Sequence, residues 1–172
     1  TFKAEELGYQ PDLILASRQI NNSMAQYVSD KTIKEMIKAG ISIKGANVLI
    51  LGATFKEDCP DLRNTKVFDI ADGLKDFAVN VDIYDPLIKS IRESEKNRNI
   101  IYIDPIGGVK KYDAVIVAVA HKNFRSYTMN DYRSLLTDKL VIIDIKGIVK
   151  NPTWRLWMRK KTKYWNIFNY EF

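Results

Sequence analysis

At 172 residues, with 46% hydrophobic and 28% charged, the chain can bury a core without a metal or disulfide staple, and a wholly disordered chain is excluded. No apolar run reaches the ~18 residues of a membrane span, residues 1–10 lack a secretory apolar stretch, and the single cysteine, Cys59, has no partner for an internal disulfide. The net charge of +6 is uneven: Arg155, Arg159, Lys160, Lys161 and Lys163 against Glu171 put +4 of it in residues 151–172, which disfavours nucleic-acid binding by the near-neutral body.

The first residue, Thr1, is not Met, which reads as a processed chain or a piece of a longer one. Residues 11–39 are predicted as one long helix, with Pro11 suited to its first turn and Gly40 to its stop. Its apolar stripe changes face. Leu13, Ala16, Ile20, Met24 and Tyr27 fall on one side, and Ile33, Met36 and Ile37 on nearly the opposite side. Either a slightly bent helix packs on one core, or a connector serves a second domain or subunit with its N-terminal half.

After Gly45 the pattern alternates strand and helix. Strands are predicted at 47–51, 81–84, 100–103, 114–119 and 140–145, and helices at 66–78 and 87–96. The strands at 47–51, 114–119 and 140–145 are continuously apolar, as a sheet covered on both faces requires. The expected fold is a three-layer α/β/α, doubly wound, mainly parallel five- or six-stranded sheet preceded by a long helix. Residues 151–172 carry all three tryptophans among basic residues. They read either as a terminal helix over about 154–164 docking its aromatics on the domain, or as a segment for RNA or an anionic membrane.

Ligands of an open parallel sheet sit beyond its strand ends, where the strand order reverses. The first and fourth strands should flank that point, which brings forward the loops 52–65, 120–130 and 146–150. The first loop has one glycine, Gly52, so the dinucleotide fingerprint G-x-G-x-x-G is absent. It offers Lys56 and Arg63 instead, a point charge and a planar fork suited to phosphate oxygens, and Asn64 or Thr65 to cap the next helix. Asp58, Asp61 and Arg63 could equally form an ion-pair network within the loop. Asp85 could grip a ribose, although a turn before Pro86 suits it as well. His121 could be a ligand contact or a loop hydrogen-bonder. Lys146 adds a third cation to the same rim, and the three together suggest an anionic small molecule such as a nucleotide. Cys59 lies among Asp58, Pro60 and Asp61, and neighbouring carboxylates disfavour a thiolate nucleophile. One histidine and one cysteine make a His/Cys metal site improbable.

The run LGATFKEDCPDLRNTKVFDI, followed by VDIYDP and VIIDIKGIV, resembles the C-terminal portion of the UDP-glucose/GDP-mannose dehydrogenase family. With ELGYQPDLILASRQINNSM upstream, it is most similar to the UDP-N-acetylhexosamine 6-dehydrogenase branch, which serves capsule, Vi-type and O-antigen polysaccharides. The resemblance implies two parts here, the end of a central dimerisation region with its long helix at 1–44 and a UDP-binding α/β domain at 45–150; the basic aromatic tail at 151–172, expected to pack on the domain, matches no family pattern. It implies a UDP-N-acetylhexosamine or other UDP-sugar as ligand, with Phe55, Lys56, Arg63 and Lys146 as candidate contacts, to which the position of His121 after the fourth strand adds a fifth. It further implies a homodimer through the long helix; the single cysteine makes a reducing cytoplasm the default setting, and composition leads to the expectation of no metal, nucleic-acid partner or membrane span. The family's NAD domain and catalytic cysteine, in a G-x-G-G-x-C-type segment, would lie upstream of Thr1. On that reading the whole enzyme oxidises a sugar 6-hydroxyl twice with NAD, and the present chain supplies UDP binding without catalytic residues. Two other readings stand beside it: a non-catalytic nucleotide-binding or regulatory module of the same fold, and a surface-associating protein driven by the basic tail.

Overall fold

The computed structural model describes Gly8 and residues 12–88, 100–101, 104–106 and 108–156. The long helix is α1, Asp12–Lys38, and its two halves differ in burial. In the C-terminal half Ala25, Val28, Ser29, Thr32, Ile33 and Met36 recur at helical spacing and are buried. In the N-terminal half Leu13 and Ile20 are 82% and 64% exposed. Ile37 departs from the second predicted face: it is exposed, because the buried stripe passes through Ile33 and Met36.

Strands β1 (Asn47–Leu51), β2 (Asn80–Tyr84), β3 (Ile100–Ile101), β4 (Ala114–Val117), β5 (Ile142–Asp144) and β6 (Trp154–Arg155) form one sheet in the order β3-β2-β1-β4-β5-β6. Every pairing is parallel, with Val48 opposite both Val81 and Ala114, and Ile116 opposite Ile143. The order reverses between β1 and β4, as predicted.

Alternate residues feed two cores. On one face Val48, Ile50, Ile83, Ile116 and Ile143 pack under α1 and α2, Val67–Lys75. On the other, Leu49, Leu51, Val115, Val117 and Ile142 pack under α3, Lys122–Arg125, and α4, Met129–Leu135. The three-layer, doubly wound expectation therefore holds. The two helices over the first face approach closely at Gly73, where a Cβ would stand 2.7 Å from Ser29 Oγ. That hydroxyl donates to Ile70 O at 3.0 Å and so links the pair.

Two local expectations change. The segment 120–130, read as loop, carries α3 and the start of α4, the latter begun by a reciprocal capping box between Thr128 and Asp131. The predicted terminal helix is replaced at its start by β6, because Thr153 Oγ1 accepts from Ile142 N at 2.9 Å and draws the chain along the open edge of β5. Trp154 does dock on the domain, edge-on to Tyr27 at 5.9 Å and under Lys31 at 5.8 Å. The predicted helix at 87–96 and residues 157–172 of the tail lie largely or wholly outside the described residues.

Candidate functional site

The reversal between β1 and β4 opens a cleft of about 660 Å³, roofed by Ile20, Met24 and Val28 of α1 and lined at the strand ends by Thr54, Phe55 and Lys146. The chain leaves β1 through Gly52, whose φ of +94° lies in the region that favours glycine. A Cβ there would approach Val119 Cβ to 2.5 Å, so this one glycine lets the loop cross the end of β4 closely.

Beyond Gly52 the loop is held by Asp85, at the end of β2 and 2% exposed. Its Oδ2 accepts from Ala53 N at 2.7 Å and Thr54 N at 3.1 Å, and its Oδ1 accepts from Leu87 N at 2.9 Å. Burial pushes the Asp85 carboxyl up, but the His121 hydrogen bond and the N–H groups of Ala53 and Leu87 outweigh it and hold it below the usual carboxylate range. Asp85 is thus both the turn residue before Pro86 and a brace for the β1 loop, with its two oxygens already engaged by protein.

This arrangement does not fit a dinucleotide at the β1 turn. A pyrophosphate needs free backbone N–H groups after the first strand, and here those of Ala53 and Thr54 are taken by a buried carboxylate. Among the described residues no group of three or more His, Cys, Asp or Glu side chains could hold a metal ion.

The candidate contacts divide by position. Phe55 and Lys146 line the cleft, and Phe55 is 57% exposed. Lys56 is exposed between Phe55 and Glu57, and Glu57 Oε1 lies 3.0 Å from Lys146 Nζ, so two ligand loops meet through an ion pair. Burial pushes the Glu57 carboxyl up, yet its own backbone N–H and Lys146 hold it below the ordinary value. Arg63 is not among the residues that line the cleft, and its guanidinium donates to both oxygens of Asp61, at 2.8 and 3.0–3.2 Å, a pairing within the loop. Thr65 Oγ1 accepts from Val67 N at 3.3 Å, while Asn64 takes a φ of +60° in the turn.

His121 is 1% exposed and offers neither ring nitrogen to a ligand. Nδ1 accepts from Asp58 N at 2.9 Å, and Nε2 lies 3.0 Å from both Asp85 Oδ2 and Thr54 Oγ1. Both ring nitrogens are thus engaged by protein groups, and His121 braces the loop from behind without lining the cleft. Cys59 is half-buried, and its carbonyl accepts from Asp61 N at 2.8 Å.

Sequence reasoning missed a second brace. Asp144, fully buried at the end of β5, accepts from Gly147 N at 2.7 Å and Ile148 N at 3.2 Å on one oxygen, and from Val149 N at 2.8 Å on the other. Arg155 Nε adds 3.2 Å to Asp144, and its Nη2 donates to Val149 O. The turn carrying Lys146 is therefore fixed from below. The signal available was an acidic residue closing an apolar strand just before Lys-Gly.

A family model described as the UDP-glucose/GDP-mannose dehydrogenase family, UDP binding domain, matches residues 49–151. The chain is 44% identical over 151 residues to a UDP-N-acetyl-D-glucosamine 6-dehydrogenase of Salmonella typhi, covering 87% of this chain and 35% of the relative. It is 42% identical over 165 residues to Protein CapL of Staphylococcus aureus, covering 91% and 37%. In fold it is similar to a UDP-D-ManNAc dehydrogenase from Pyrococcus horikoshii, with a TM-score of 0.71 at 22% identity, over 88% of this chain and 35% of that one. The chain thus spans about a third of the length of these relatives. With the family match running from β1 past β5 and high identity along most of its length, the chain belongs to the UDP-glucose/GDP-mannose dehydrogenase family and carries its UDP-binding domain.

Proposed function

We propose that this chain is the UDP-sugar-binding part of an NAD-dependent UDP-N-acetylhexosamine 6-dehydrogenase that makes UDP-uronic acids for surface polysaccharide. The observation that carries this is the meeting of Phe55 and Lys146 in one cleft at the strand-order reversal, within the segment that matches the UDP-binding domain. An aromatic face suits a pyrimidine ring, and ammonium groups suit diphosphate oxygens. Lys56, beside Phe55, and Lys146 are assigned to the phosphates, Phe55 to the nucleoside end, and Arg63 to the shape of the loop through Asp61. NAD belongs to another part of the enzyme, in keeping with the occupied N–H groups after β1. The names of the relatives support an N-acetylated sugar and a capsule-type product, and the single cysteine suits a reducing cytoplasm as the setting.

The exposed apolar half of α1 is assigned to a second copy of the chain. Leu13 and Ile20 would be costly to leave in water along a helix of this length, and the family resemblance points to pairing there. Sedimentation that finds only monomer at micromolar concentrations would remove this assignment.

Calorimetric titration with UDP tests the main reading. Lys56→Ala should weaken binding by about 1–3 kcal/mol through loss of a charge-assisted hydrogen bond. Absence of heat at millimolar UDP would count against the cleft as a nucleotide site.

A further inference from the structure

The segment from Ala53 to Asp58 holds Phe55 and Lys56 out of the core, yet its backbone is tied at both ends. At the near end Asp85 takes the N–H groups of Ala53 and Thr54. At the far end Asp58 N donates to His121 Nδ1 at 2.9 Å. A ring nitrogen that accepts carries no proton, so the neutral imidazole bears its hydrogen on Nε2, facing Asp85 Oδ2 and Thr54 Oγ1. The Thr54 hydroxyl directs its own proton to Lys56 O at 3.1 Å, which leaves its lone pairs free to accept. One ring therefore joins the end of β2, both ends of the loop and the start of α3.

The far end needs this hold. Asp58 has a φ of +54°, a left-handed conformation that costs energy for a residue with a Cβ. Its carboxylate accepts from Lys122 N at 3.1 Å, which links the same residue to the first turn of α3. Phe124 meets the imidazole at 5.6 Å with the rings inclined by 60°, and so fixes the plane in which both nitrogens point.

We infer that His121 is a positioning residue for the nucleotide subsite: without touching ligand, it locks the backbone of residues 54–58, which sets Phe55 in the wall of the cleft and holds Lys56 exposed beside it. The inference rests on the reading of this cleft as a UDP-sugar site. Preorganisation of a loop raises affinity by removing the cost of ordering it on binding. A residue that only stabilised the fold would lower the melting temperature of the protein and leave the affinity of the folded molecules unchanged.

Two conservative variants separate these roles in the 172-residue chain, with UDP-N-acetylglucosamine as the probe. In His121→Asn the side-chain oxygen can stand where Nδ1 accepts from Asp58. In His121→Gln the amide nitrogen can stand where Nε2 donates to Asp85, and the Asp58 bond is lost. Both remove the ring, so both should lower the melting temperature to a similar degree. The expected result is that His121→Gln weakens binding by about tenfold while His121→Asn stays near the wild-type affinity, the loss of one loop-ordering hydrogen bond. Equal affinities in the two variants would overturn the inference. Wild-type chain that binds no UDP-N-acetylglucosamine would remove the proposed function instead, and this inference with it. A further readout needs no variant: in the wild-type chain the Asp58 amide should be protected from hydrogen exchange, and the ¹⁵N shift of His121 Nδ1 should be that of an unprotonated nitrogen. A freely exchanging amide or a protonated Nδ1 would also overturn it.

Discussion

Asp85 and Asp144 are two solutions to one problem. Each ends a buried parallel strand, each is essentially buried, and each accepts three backbone N–H groups from loop or turn residues at the cleft end of the sheet. They differ in what else surrounds them. Around Asp85 the donors of Ala53 and Thr54 and the His121 ring are all buried. Around Asp144 the residues Gly147 and Ile148 are half-buried, and the Arg155 side chain is 22% exposed. The β1 loop is therefore fixed by a closed network, and the β5 turn by an open one that water can reach. The fold holds both loops from behind with strand-end carboxylates, while Lys56 stays exposed and Lys146 lines the cleft.

The largest test of the difference is removal of each carboxylate. Asp85→Ala should cost about 4 kcal/mol or more, since several buried donors lose their acceptor at about 1–3 kcal/mol each. Asp144→Ala should cost less, about 2–3 kcal/mol, because Arg155 and two of the N–H groups can turn to water. Urea denaturation of both variants measures the gap. A larger loss for Asp144→Ala would reverse the contrast between a closed and an open network.

Acid titration sharpens the same contrast on one side of the sheet. The folded Asp85 carboxyl is held below its ordinary value, by His121 before the Ala53 and Leu87 N–H groups, against the opposing push of burial. Its contribution to stability is thus fully present above the unfolded-state value of about 4 and is lost as pH falls through the lower, folded-state value. Asp85→Asn cannot titrate, so its urea midpoint should fall less steeply than the wild type's as pH is lowered from 6 to about 3. Parallel slopes would mean that the clamp does not depend on an ionised Asp85.

How much of this was legible before the fold was known follows from the range of the forces involved. Strands β1, β4 and β5 announced themselves because burial on both faces demands unbroken apolar runs such as NVLIL and AVIV. The cleft followed from strand order alone. The short helices α3 and α4 were hidden by their length, although Thr128 and Asp131 spelled a capping box. The edge strand β6 depends on a bond from Ile142 to Thr153, eleven residues away, which no local pattern encodes. The clamps were hidden for the same reason. Asp85 meets Ala53 across 32 residues, and His121 meets Asp58 across 63, so only the parallel register brings them together. Lysines could be assigned to a rim from sequence, but whether a histidine at the end of a strand points outward or inward is decided by what packs above it, here Phe124.

The smallest effect joins the two networks. Glu57 rides on the loop held by Asp85 and His121, and Lys146 on the turn held by Asp144 and Arg155, with their charges 3.0 Å apart. Both side chains are about one-third exposed, so the pair should add no more than about 0.5–1 kcal/mol to stability. Its larger consequence is electrostatic. The same Lys146 that is assigned to a diphosphate is shared with a carboxylate, and Glu57 places a negative charge beside an anion site. Glu57→Gln removes that charge while keeping the side-chain length. The urea midpoint should hardly move, and affinity for UDP-N-acetylglucosamine should rise a few-fold at low salt, an advantage that screening erodes as ionic strength increases. An unchanged or weaker affinity would show that the ion pair itself, like the two carboxylate clamps, helps hold Lys146 in its binding position, and the two loops would then have to be treated as one network.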